Sequence, residues 1–136
     1  MEFQSFAGVE IGGQALGEAG LYGALAGEYG VPVLMASGDD VFIAENRALF
    51  PHAVFVQTKR ATGQTSGVSL SPAQSCATIR EGVAVALAAQ GRARPLLLAK
   101  PLAVTLRTQS PALADLFCQW PAFERSAPTE LRFAAP

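Results

Sequence analysis

Apolar and polar positions sort this chain into alternating short strands and helices. Phe3, Phe6, Val9 and Ile11 give residues 3–11 an aromatic and β-branched character, and Gly12-Gly13 follows as a turn. That pattern predicts a strand entering a hairpin at the glycine pair. A helix is predicted from Glu18 to Tyr29, stopped by Gly30 and Pro32. Gly17, Gly20, Gly23 and Gly27 recur near one of its faces. Glycine lowers helix propensity by up to ~1 kcal/mol per residue. A face built of it predicts a packing reason, such as close approach of a strand or of another chain.

Val31–Ala36 is an uninterrupted apolar run between Gly30 and Gly38, which reads as a buried strand. A helix to Leu49 follows, with Asp39 or Asp40 available to cap its first turn. Phe50-Pro51-His52 closes it, and Ala53–Thr58 is the next strand. Lys59–Gly67 reads as a polar loop. Ser71-Pro72 then opens a long helix to Ala89, with Pro at the first helical position and Gly91 as the stop. Pro101–Arg107 reads as a strand, Ser110-Pro111 opens a short helix through Cys118, and Glu130–Ala134 reads as a last strand. Strands alternating with helices predict an α/β fold: a mixed, partly parallel sheet flanked by helices, in one unit spanning residues 1–136. Parallel pairing is expected in the middle and antiparallel additions at the ends.

Composition narrows the function classes. At 136 residues the chain can bury roughly 65–70% of its unfolded surface. Half the residues are hydrophobic and 15% are charged, which argues against disorder. The net charge is −1 and the basic residues are scattered. Neither nucleic acid nor an anionic membrane is favoured, since both need clustered Lys and Arg. No basic start precedes an apolar signal core, and no apolar run reaches ~18 residues, so a cytoplasmic protein is expected. Cys76 and Cys118 form no CxxC motif. Cys76 falls within a helix, where a buried thiol is expected.

Several motifs fail on spacing. Gly12-Gly13-Gln14-Ala15-Leu16-Gly17 sits between strand and helix, but Gln14 takes the second glycine position of a dinucleotide fingerprint. Thr62–Gly67 lacks the Lys-Ser/Thr ending of a P-loop. A small nucleotide-binding protein therefore lacks its phosphate loop here. His52 is the sole histidine, so this chain alone builds neither a His-based metal site nor a triad with a choice of histidines. It follows Pro51 and reads as a solvated turn residue.

The remaining chemistry is acidic. Glu18 stands in a first helical turn, where the macrodipole favours a carboxylate whatever its function. Asp39 and Asp40 also stand at a helix start and read equally well as caps. They share the C-terminal edge of the predicted parallel strands with Lys59, and α/β sites form on that edge.

Leu16-Gly17-Glu18, the apolar helix, the Val31-Pro32-Val33 strand and Gly38-Asp39-Asp40 together resemble the M55 metallopeptidases, the DppA-like D-aminopeptidases. The resemblance continues more weakly through Lys59 and Leu70-Ser71-Pro72 and fades after residue 95. It implies a binuclear zinc hydrolase that removes N-terminal D-amino acids from peptides, assembled as a homo-oligomer and connected with peptide transport. It also implies that Glu18 matches a zinc ligand, while Asp39, Asp40 and Lys59 line or support the substrate pocket. The family's Asp-x-Glu-Gly motif and its metal-binding histidines are expected upstream, a catalytic histidine just before Met1, and a C-terminal helix after Phe133. Tyr22 stands where the family tends to have Asn. The chain therefore reads as a C-terminal portion, truncated relative to the family and inactive alone, whose partner is a complementary N-terminal chain or further copies. The alternative is a non-catalytic remnant or oligomerisation module of the same fold.

Overall fold

The first hairpin needs two consecutive residues at positive φ, and Gly12 (60°) and Gly13 (80°) supply them. In the computed structural model, which describes residues 5–135, they join β1 (Phe6–Ile11) to β2 (Gln14–Ala15). Phe3 lies outside the described residues. Helix α1 (Glu18–Glu28) ends as expected at Gly30, which takes φ 73°. Next come β3 (Met35–Asp39), α2 (Asp40–Asn46), β4 (Val54–Gly63), β5 (Ser66–Ser69) and α3 (Pro72–Ala88). A 3₁₀ turn at Gln90–Arg92 leads to β6 (Leu102–Thr108), α4 (Pro111–Phe117), β7 (Glu124–Ala127) and β8 (Glu130–Ala135).

The α/β class holds, but among the described residues the strands form two sheets rather than one. A five-stranded sheet runs β2-β1-β6-β8-β7 and is antiparallel throughout; a three-stranded sheet runs β3-β4-β5. Its β3–β4 pair is parallel, and β5 adds antiparallel to β4. Three local expectations change. The strand predicted at Val31–Ala36 starts only at Met35. Pro32 has no N–H for a ladder, and the first cross-strand bond is Val54 N–H to the Leu34 carbonyl, 2.9 Å. The predicted polar loop Lys59–Gly67 is largely the β4–β5 hairpin. Strand β7 was unforeseen. Both missed strands are four residues long and mostly exposed, each with a single apolar side chain (Val68, Ala127), so no apolar alternation marks them.

The chain divides into two compact units. One comprises the residues up to Leu21 with those from Leu97 onward; the other is Tyr22–Leu96. In the first, register puts Val9, Ile11, Val104, Leu106, Leu131 and Phe133 on one sheet face. Leu131 and Ala114 of α4 are fully buried. Phe6 stacks on Phe117 at 5.0 Å between ring centroids, and Phe123 meets Phe133 edge-on at 5.2 Å. The opposite face carries Glu10, Thr105, Arg107, Glu130 and Arg132.

The second unit packs through glycine. A Cβ on Gly82 of α3 would collide with Val56, beside Met35 and Val54. Gly38 gives room to Phe42 of α2, from the other face of the β3–β4 pair. Two of the four glycines on that face of α1, Gly23 and Gly27, have a packing reason within this chain, while Gly17 has open space where a Cβ would stand. Gly27 lies against the Leu96 backbone carbonyl, and Gly23 against Phe50 and Val33. Helix α3 starts with a full capping box between Ser71 and Gln74. Its inward stripe is Ser75, Ile79, Gly82 and Ala86; Cys76 falls off that stripe and is exposed, contrary to the expected buried thiol.

Candidate functional site

Glu18 owes its position to the hairpin before it. Leu16 is buried, and its N–H donates to Val9 O at 2.9 Å, which ties the chain back to β1. The Gly17 carbonyl accepts the first helical bond, from Leu21 N–H at 3.0 Å, so Gly17 is the cap and Glu18 the first helical residue. The Glu18 side chain is exposed, at the positive end of the helix.

Asp39, Asp40 and Lys59 belong to the other unit, and the β3–β4 ladder brings them to one edge. Asp39 and Lys59 are direct register partners, just past a register shift after Gly38. Asp39 is the N-cap of α2, and its Oδ1 accepts from Phe42 N–H at 2.8 Å. Asp40 Oδ1 accepts from Ala61 N–H at 2.8 Å, where β4 runs on past the edge. The capping role was legible in the sequence. The Asp40–Ala61 bond spans 21 residues and left no local signal. Both carboxylates are half-buried, while Lys59 is exposed. His52 sits exposed in the turn before β4.

A groove of about 450 Å³ lies on the first unit, lined by Ala103, Thr105, Ala122, Glu124, Arg132 and Phe133. Thr105, Arg132 and Glu124 form one cross-strand row over β6, β8 and β7. Beside it the Ser126 hydroxyl donates to Glu130 Oε1 at 2.6 Å, and Arg132 lies 3.0 Å from the same oxygen. The Ser126 bond is the largest influence and lowers the Glu130 carboxyl below the ordinary carboxylate range; desolvation, next in size, opposes it, and the Arg132 and Arg107 charges add to the lowering. Arg107 and Glu10 pair at 3.4 Å on the same face. Nothing in the sequence distinguished this row from ordinary outward-facing residues.

Zinc needs about four donors, three of them from protein even in an open catalytic site. Among the described residues no group of three or more His, Cys, Asp and Glu side chains is placed to hold a metal ion. The residues described do not by themselves fit a zinc centre. No described helix is long and apolar enough to cross a membrane.

Comparison with known proteins gives these groups a context. The M55 peptidase family, described as D-aminopeptidase, matches residues 1–136. A D-aminopeptidase of Bacillus subtilis (strain 168) is 35% identical over 86 residues, which cover 63% of this chain and 31% of that protein. The solved structure of a Zn-dependent D-aminopeptidase DppA from Bacillus subtilis, described as a self-compartmentalizing protease, matches with a TM-score of 0.92 at 27% identity. That match covers 96% of this chain and 48% of the other, so the chain spans about half the length of its structural relative. The family pattern runs along the whole sequence and the fold follows it: the chain belongs to the M55 D-aminopeptidase family.

Proposed function

We propose that this chain forms part of a zinc-dependent aminopeptidase that hydrolyses N-terminal D-amino acids from peptides, and that it needs the rest of the fold to act. The observation that carries this reading is the match of 96% of the chain to half of a Zn-dependent D-aminopeptidase. Glu18, an exposed residue at the start of α1, is the zinc-ligand position. When bound, two zinc ions would polarise a peptide carbonyl and supply hydroxide at neutral pH. The residues of this chain do simpler things. Asp39 and Asp40 hold α2 and the extended end of β4 in place, and Lys59 presents a cation on that sheet edge, suited to a peptide carboxylate. The protein acts in the cytoplasm as a homo-oligomer, in keeping with the self-compartmentalizing character of its relative.

The test combines the chain with the separately expressed remaining half of the Bacillus subtilis enzyme and zinc. Zinc content and release of a D-amino acid from a short peptide are then measured. The chain alone should release none and the combination should; Glu18→Ala should lower both bound zinc and release at least 100-fold. Unchanged zinc content in Glu18→Ala would remove Glu18 from the site. A second reading, a non-catalytic interaction module, is favoured by the engagement of both aspartates with backbone N–H groups. Assembly without zinc or activity is its signature.

A further inference from the structure

The three-stranded sheet has two edges, and they are finished differently. Strand β5 is four residues long and fully exposed, with Lys59 and Arg60 beside it on β4 and a register shift near its turn. Short length, neighbouring cations and an irregularity are the usual protections of a true sheet edge. Strand β3, five residues long and with a register shift only at its Gly38–Asp39 end, has no cation along its edge. Met35-Ala36-Ser37-Gly38 carries no charge and no proline, and its one charged residue, Asp39, is committed to capping α2. Among the described residues β3 pairs with β4 alone.

Hydrogen-bond alternation identifies the groups on that edge. Val54 N–H reaches Leu34 O, and Met35 is the register partner of Val54. In a parallel ladder successive residues bond to opposite sides. Leu34 and Ala36 therefore bond toward β4, and Met35 and Ser37 turn their N–H and C=O groups away from it. Parallel strands are characteristically interior elements with further strands beside them and helices on both faces. Both faces of this pair already have helices: α3 through Gly82, and α2 through Phe42. Among the described residues no further strand lies beside β3.

We infer that the free edge of β3 docks a parallel strand from the half of the D-aminopeptidase fold that the structural match leaves out. Parallel addition suits the ladder already present, and the match covers 48% of the relative, so the occupant has a source. Two copies joined edge to edge across a twofold axis would pair antiparallel and would not continue this ladder. A parallel strand would end on the same side as Asp39 and Lys59, and bring the groups that follow it to that edge. The inference rests on the fold and the family, not on activity: docking without hydrolysis would leave it standing.

Amide hydrogen exchange on the chain, alone and mixed with the remaining half of the Bacillus subtilis enzyme, tests it. The Met35 and Ser37 amides should exchange freely in the isolated chain and at least tenfold more slowly in the mixture. Ser37→Pro removes only an outward N–H, so circular dichroism of the isolated chain should be unchanged while association weakens at least 100-fold. Failure to associate, or protection that appears on β5 and not on Met35 and Ser37, overturns the proposal. Should Ser37→Pro unfold the chain, exchange in the unaltered protein still decides.

Discussion

The two compact units bury their interiors by different means. In the unit that holds β1, β6 and β8, every strand pairing is antiparallel, and alternation does the sorting: Val9, Val104, Leu106 and Leu131 on one face, Glu10, Arg107, Glu130 and Arg132 on the other. In Tyr22–Leu96 the interior is set by backbone proximity, with glycines at 23, 27, 38 and 82 each admitting a neighbour that a methyl group would strike. The first unit should therefore be sensitive to losing side-chain volume, and the second to gaining it.

The largest effect belongs to volume loss. Leu131 is fully buried on β8, an interior strand of the antiparallel sheet between β6 and β7. Leu131→Ala should destabilise its unit by about 2–5 kcal/mol, read as a lower urea midpoint. A cost below ~1 kcal/mol would mean that the sheet collapses around the cavity, and the contrast would fail. Volume gain comes next. Gly27→Ala places a methyl group on the Leu96 carbonyl, a backbone atom that cannot rotate away, so about 1–3 kcal/mol is expected. Gly91 has open space where a Cβ would stand, and Gly91→Ala should stay within about 0.5 kcal/mol. Equal effects at positions 27 and 91 would show that close approach is not what glycine serves in α1.

Legibility in the sequence follows the same division. Local chemistry announced the Gly12-Gly13 hairpin, the Asp39 cap, and the start of α3 at Ser71-Pro72. Pairings between distant segments left no mark. Strand β1 pairs with β6 across most of the chain, so antiparallel closure into a separate sheet could not be read from strand order. Strands β5 and β7 are short and mostly exposed, with Val68 and Ala127 their lone apolar side chains, and carry no alternation. At the candidate site, the strand–helix order around Asp39 sufficed to place it near Lys59 on one edge. The Asp40–Ala61 bond depended on β4 running five residues beyond its predicted end at Thr58.

That bond supplies a smaller prediction. Asp39→Ala removes the α2 cap and should cost about 1 kcal/mol. Asp40→Ala leaves the Ala61 N–H without its acceptor and should cost about as much. Glu45→Ala, on an exposed position of α2, should be close to neutral. Urea midpoints of the three variants, measured side by side, check this. Two silent aspartates would mean that their carboxylates are not structural, and would strengthen the substrate-site reading.

The smallest effect depends on pH and lies on the polar sheet face. Glu130 accepts from Ser126 and lies against Arg132, and both favour its charged form. Its folded-state pKa is therefore lower than in the unfolded chain. A carboxylate of this kind stabilises the fold fully above the ordinary glutamate pKa of about 4.3, and the contribution is lost as pH falls through the lower folded value. Glu130→Gln should accordingly lower the urea midpoint at pH 7, while the gap to the parent protein narrows as pH approaches 3. Because the carboxylate is partly solvated, high salt should shrink its Arg132 contribution and leave the Ser126 bond. A gap that widens on acidification would reverse the sign and show that the charged form is the disfavoured one.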